Sequence, residues 1–173
     1  MAAGERKRPV ALRLLFLCTA NSARSQIAEA LLNARRDPRI EARSAGTQPT
    51  AAVNPYATAV LRSYGIDASG AWPKRIEDVG VAGWDLVITV CDSARETCPV
   101  LPGKPAMAHW GIPDPAAAPE PVKQRAFEEA ARVLNRRIEL LLALPLEKLE
   151  ALALEREVAH IAATQGALED ASA

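Results

Sequence analysis

Val10-Ala11-Leu12-Arg13-Leu14-Leu15-Phe16-Leu17, followed at once by Cys18-Thr19-Ala20-Asn21-Ser22-Ala23-Arg24-Ser25, is the stretch on which the fold turns. The first half is an apolar run broken only by Arg13, the pattern of a strand buried on both faces of a sheet. The second half is small and polar. It leads into a helical pattern from Ser25, with Ile27, Ala28, Leu31 and Leu32 on one face and Pro38 beyond its end. Arg6, Lys7 and Arg8 ahead of the run superficially resemble a secretory leader. The apolar run is too short to span a bilayer and gives way to Asn21, Ser22 and Arg24, so it reads as a strand. No other stretch is long and apolar enough to cross a membrane, and the expected location is cytoplasmic.

Working outward, Ile40 to Ser44 reads as a second strand closed by Ala45-Gly46. Asn54-Pro55 marks a helix start, an N-cap followed by proline, with Ala59, Val60 and Tyr64 as its apolar face and Gly65 as its stop. Trp84 to Val90 is a third strand and Ala106 to His109 a short fourth. Val122 to Leu144 is a long amphipathic helix carrying Phe127, Ala130, Val133, Leu134, Ile138, Leu141 and Leu142. Pro145 breaks it, and Leu146 to Ile161 resumes a helical pattern through Leu149, Leu152, Ala153, Val158 and Ile161. Strands alternating with helices predict an α/β domain over residues 10–144 with a mainly parallel sheet. A helical extension over 145–165 and flexible termini at 1–9 and 166–173 complete the expected layout. Ligands of such sheets bind where strands end, which singles out the loops after Leu17 and after Val90.

Lys+Arg and Asp+Glu both number 21, so the chain carries no basic excess for nucleic acid or other polyanions. Aromatics make up only 4%. The three cysteines, Cys18, Cys91 and Cys98, are an odd number in a chain of 173 residues and do not suggest a secreted disulfide framework. They are either incidental thiols or chemistry in a reducing compartment.

Cys18 to Ser25 joins a buried strand to a helix N-terminus, a geometry suited to a tetrahedral oxyanion. Backbone N–H groups of Thr19, Ala20, Asn21, Ser22 and Ala23 can turn inward while the helix start supplies partial positive charge. Arg24 can grip two anion oxygens as a fork. Cys18 would face the central atom as a thiolate nucleophile, with its pKa expected to fall through these groups and the Ser25 hydroxyl.

This loop resembles that of the low-molecular-weight protein tyrosine phosphatase superfamily, and more closely its arsenate reductase branch, which continues Arg-Ser-Gln as Arg24-Ser25-Gln26 does. The resemblance continues through Ser44-Ala45-Gly46-Thr47, Val53-Asn54-Pro55, Val87 to Asp92, Cys98 to Gly103 and His109 to Ala116. It implies a three-layer fold around a central four-stranded sheet. It also implies arsenate reduction with Cys18, Cys91 and Cys98 as a thiol relay, thioredoxin as external electron donor, and no bound cofactor. Glutathione is an alternative donor. Phosphate and sulfate are expected as competing anions, and the chain is expected to be a monomer. In the family the Asp at the position of Asp114 protonates the leaving oxygen. His109-Trp110 is expected to support that acid loop. Asn21, Glu29 and Ser44 match residues that brace the loop or bind potassium in some relatives, but Lys74 stands where a further Asp would, so no metal is expected. Ala20 replaces the usual Gly of the loop, which would strain a positive φ.

The rival reading is a tyrosine or small-molecule phosphatase using only Cys18, Arg24 and Asp114. Ala116 stands where phosphatases usually place Tyr, and with so few aromatics a phosphotyrosine-gripping wall is hard to build, which favours a small inorganic substrate. A non-enzymatic oxyanion-binding module is a second rival. Geometry adds one expectation to the relay. If Asp92 to Cys98 is helical, Cys91 and Cys98 stand about 10 Å apart. A disulfide tolerates at most about 7 Å between Cα atoms. Their oxidation would then have to unwind the segment from Asp92 to Pro102, helped by Pro99.

Overall fold

The computed structural model describes residues 11–170; residues 1–10, with the terminus expected to be flexible at 1–9, and residues 171–173, the end of that expected at 166–173, lie outside the described residues. Four strands form one sheet: β1 (Leu12–Cys18), β2 (Ile40–Gly46), β3 (Leu86–Thr89) and β4 (Ala106–His109). They run in the order β2-β1-β3-β4, and every neighbouring pair is parallel. Leu14, Leu15, Phe16 and Leu17 are fully buried, as expected of a strand covered on both faces.

The chain leaves β1 toward β2 on one side and returns to β3 on the other. That reversal makes a crevice at the carboxyl ends of β1 and β3. Cys18 ends β1 and Cys91 follows β3 by two residues, so both thiols flank the crevice.

Helices α1 (Arg24–Ala34), α2 (Pro55–Ser63) and α5 (Glu120–Leu142) pack against one another, with Ile27, Ala28, Leu31 and Leu32 of α1 all buried. The short helices α3 (Ile76–Val79) and α4 (Asp92–Thr97) lie against the strands; α3 was not legible as a helix. Right-handed crossovers running in opposite directions from the centre place α1 and α4 on opposite faces, giving three layers.

Several expected faces are corrected. Helix α2 buries Ala57, Val60 and Leu61, while Ala59 and Tyr64 are exposed. Helix α6 (Ala151–Asp170) buries Leu154, Val158 and Ile161 and leaves Leu152 exposed, because its phase starts only after a 3₁₀ turn at Leu146–Lys148. It also runs past the expected end at 165. Gly166 is the one weak helix former there, and its cost of about 1 kcal/mol does not stop a helix rich in alanine.

Both outer strands have their free edges capped by side chains. Asn33 of α1 donates to the Ala42 carbonyl and accepts from its N–H on β2. Glu155 of α6 accepts the Met107 N–H of β4 at 3.0 Å. An unpaired strand edge is a template for aggregation, and these side chains occupy it. Helix α6 is further pinned by the indole of Trp110, which donates to the Val158 carbonyl at 3.0 Å while its ring packs on Phe16.

Trp110 is fully buried, so Trp110→Ala is expected to cost about 3–5 kcal/mol, read as a lower urea midpoint.

Candidate active site

The loop from Cys18 to Ala23 is held from outside by its own carbonyls. Those of Cys18, Thr19, Ala20 and Ser22 accept N–H bonds from Thr47, Gln48, Thr50 and Asn54 at 2.8–3.1 Å. Turning the carbonyls outward leaves the loop's N–H groups for an oxyanion. Gly46 permits the close approach, since a Cβ there would stand 2.5 Å from the Thr19 carbonyl oxygen.

Asn21 is the bend. Its φ is +48°, in the left-handed region that Asn tolerates better than most residues. Among the described residues Ala20 is not in that region, so the missing Gly imposes no strain. The Asn21 side chain is fully buried and uses every hydrogen-bonding position. Its Nδ2 donates to Ser25 Oγ at 2.8 Å and Ser44 Oγ at 3.0 Å. Its Oδ1 accepts from the Lys74 N–H at 2.8 Å and from Gln26 Nε2 at 3.0 Å. With Nδ2 donating to both hydroxyls, each hydroxyl is free to donate onward. Ser25 Oγ lies 2.8 Å from Cys18 Sγ, and Ser44 Oγ donates to the Glu29 carboxylate. The Asn21 N–H also reaches Cys18 Sγ at 3.1 Å.

The Glu29 carboxylate is balanced by Lys74, whose Nζ sits 3.2 Å from Oε2 and 3.2 Å from the Trp72 carbonyl. An ammonium therefore serves the carboxylate directly. No cluster of three or more His, Cys, Asp or Glu side chains able to hold a metal ion occurs among the described residues.

Burial pushes the Cys18 thiol up, against the fall expected from sequence. The Ser25 hydroxyl and the Asn21 N–H pull it down, and the neighbouring Cys91 adds a smaller push up. Desolvation of the thiolate outweighs the hydrogen bonds because Cys18 is enclosed at the strand end.

Arg24 opens α1 and bridges to the opposite wall. Its Nη1 donates to the Ile112 carbonyl at 2.8 Å, and Nη2 stands 3.7 Å from Asp114 Oδ1. Asp114 is half-exposed and accepts the Ala116 N–H, capping the 3₁₀ turn Pro115–Ala117. The acid loop is thereby tied to the anion loop through one guanidinium.

All three cysteines are free. Cys91 is buried at the N-cap of α4, and Thr19 Oγ1 lies 3.4 Å from its Sγ, so Thr19 touches the second thiol as well as shaping the loop. Cys98 is the C-cap of the same six-residue helix and is half-buried. Partial burial pushes its thiol up.

The hydrogen bonds of His109 go to β3 and α4 rather than to Asp114. Its ring lies between Thr89 Oγ1 at 2.7 Å and Asp92 Oδ1 at 2.9 Å, so it braces the start of α4. Residues missed by sequence reading are Gln26, which locks Asn21, and the Ile112 carbonyl, a backbone group with no sequence signal. The Gln of Arg24-Ser25-Gln26 was visible as a motif letter but not as a brace.

The family described as low molecular weight phosphotyrosine protein phosphatase matches residues 13–158. Arsenate reductase 1 of Staphylococcus epidermidis is 36% identical over 116 residues, which cover 67% of this chain and 87% of that protein. The arsenate reductase of Archaeoglobus fulgidus superposes with a TM-score of 0.58 at 31% identity, covering 73% of this chain and 98% of that one. A thioredoxin-dependent arsenate reductase of Corynebacterium glutamicum superposes with a TM-score of 0.56 at 31% identity, covering 79% of this chain and 66% of that one. With its anion loop, its parallel sheet and these relatives, the chain belongs to the low molecular weight phosphotyrosine protein phosphatase family, alongside arsenate reductases.

Proposed function

We propose that the protein reduces arsenate to arsenite through a relay of Cys18, Cys91 and Cys98, with thioredoxin as electron donor and a reducing cytoplasm as its setting. The observation that supports this reading is a set of three free thiols, two of them at the carboxyl ends of β1 and β3. One lies in the anion loop, the second is bridged to that loop by Thr19, and the third stands at the far end of a single short helix.

Arsenate binds in the loop of Thr19, Ala20, Asn21, Ser22 and Ala23, with Arg24 clamping its oxygens. Cys18 Sγ attacks arsenic and forms a sulfur–arsenic bond. Asp114 gives a proton to the departing oxygen, which leaves as water. Cys91 then attacks Cys18 Sγ. A sulfur–sulfur bond forms, the sulfur–arsenic bond breaks, and its electron pair stays on arsenic, which leaves as arsenite. Cys98 attacks Cys91 Sγ, releasing Cys18 as a thiolate and leaving a Cys91–Cys98 disulfide. An external dithiol returns two electrons and two protons. One chain supplies every group, so a monomer suffices.

A phosphatase activity is the second reading, favoured by the Arg24–Asp114 pair, since Cys18, Arg24 and Asp114 alone can process a phosphoryl group. The test is arsenate-dependent NADPH oxidation with thioredoxin and its reductase, followed by mass mapping of the disulfide. Cys91→Ser should abolish arsenate turnover and spare hydrolysis of a small aryl phosphate. Surviving arsenate turnover overturns the internal relay.

Asp114→Asn should lower the first step by about 10²- to 10⁴-fold, read by single-turnover kinetics with arsenate. Thiolate is the reacting form of Cys18, so its alkylation by iodoacetamide should speed up as pH rises. Ser25→Ala removes a hydrogen bond that favours the thiolate, so the midpoint of that profile should move to higher pH. An unchanged midpoint would show that Ser25 does not tune the nucleophile.

A further inference from the structure

The relay makes opposite demands on α4. As a helix it stands Cys91 beside Thr19 of the anion loop, where the second thiol is needed. The same helix holds the Cα atoms of Cys91 and Cys98 about 10 Å apart. They must come within about 7 Å to bond. What fixes the helical form therefore sets how readily the second disulfide forms and how readily it is reduced.

One contact that can hold the helical form is at the first turn. Asp92 is the first residue of α4, and the Arg95 N–H reaches the Cys91 carbonyl at 3.2 Å as its opening helical bond. The Asp92 carboxylate accepts from His109 Nε2 at 2.9 Å. The carboxylate can only accept, so Nε2 carries the proton. His109 Nδ1 is then met at 2.7 Å by the Thr89 hydroxyl, on the neighbouring strand β3. Gly111 leaves room for the ring, since a Cβ there would stand 2.7 Å from its Nε2. Thr89 and His109 are register partners on β3 and β4, so the ring is set on the rigid sheet.

Resting on the relay proposed above, we propose that His109 is a positioning residue that clasps α4 in the reduced, helical form through Asp92 and so tunes the Cys91–Cys98 couple. Drawing Cys91 toward Cys98 takes Asp92 out of its helical position and breaks the bond to His109. The contact then stabilises only the dithiol. It raises the reduction potential of the pair and makes the disulfide easier for an external dithiol to reduce.

The experiment compares wild type, His109→Ala, Asp92→Ala and the double variant. Each full chain is equilibrated in glutathione redox buffer, and the Cys91–Cys98 disulfide is quantified by mass spectrometry. His109→Ala should favour the disulfide by about three- to tenfold, a shift of up to about 30 mV to more negative potential. Asp92→Ala should do the same, and the double variant should add little to either single one. His109→Gln, whose amide nitrogen can stand near the place of Nε2, should recover part of the shift. Hydrogen exchange on the reduced proteins should show faster exchange across residues 92–97 in His109→Ala, with the rest of the sheet unchanged.

Equal potentials in wild type and His109→Ala, or additive single effects, overturn the clasp while leaving the relay standing. Failure of any Cys91–Cys98 disulfide to form in the wild type overturns the relay and the tuning role with it. The exchange measurement on the reduced chain still reports separately whether His109 holds α4.

Discussion

The site depends on one buried carboxamide. Asn21 must take a left-handed φ to turn the loop, and it must satisfy two donors and two acceptors where water does not reach. An unpaired polar group there would cost about 1–3 kcal/mol, so the four partners are structural requirements. They come from distant places: Ser25 and Gln26 on α1, Ser44 on β2, and the backbone of Lys74 before α3. The anion loop is thus shaped by three separate pieces of chain that meet at one side chain.

The same joint sets a direction of polarity. Because Asn21 donates to both serines, Ser25 can point its proton at Cys18 and Ser44 can point its own at Glu29. Glu29 in turn needs a cation, and Lys74 supplies it from the residue whose N–H already holds Asn21. A thiol resisting ionisation through burial and a hydroxyl favouring the thiolate therefore belong to one network. Rebuilding any member changes the donor available to the Cys18 thiol.

The sequence was most legible where local rules decide. The apolar run before Cys18, the Asn54-Pro55 helix start and the Ala106–His109 strand stand where their patterns placed them. Arg24 pairs with Asp114 across the crevice, and Cys18 ends β1 at the start of the loop that leads to Arg24. Less legible were contacts made by backbone groups or across the sheet. The Ile112 carbonyl on Arg24 has no signature, and His109 looked like part of the acid loop because it is adjacent in sequence. In space, the pleat turns its ring toward Thr89 and α4 instead. The rise of the Cys18 thiol is not legible for a related reason: hydrogen-bond donors can be read from residue types, but the depth of burial that opposes them cannot.

Rigidity is distributed unevenly, and the distribution suits a relay. Cys18 ends a buried strand and opens a loop tied through its carbonyls, so its thiol stays in place. Cys91 is seated at the end of the same sheet, close to Thr19. Cys98 alone is attached through a six-residue helix, far shorter than the twelve or so residues that sustain an isolated helix in water. Such a helix persists through tertiary contacts, among them buried Ala94 and the Asp92–His109 hydrogen bond. A few contacts are enough to hold it and few enough to release it, which is what a segment needs if its two end thiols are to meet. For the proposed relay, the parallel sheet thus provides a fixed site for the first thiol and one weakly held element for the thiol exchange that follows.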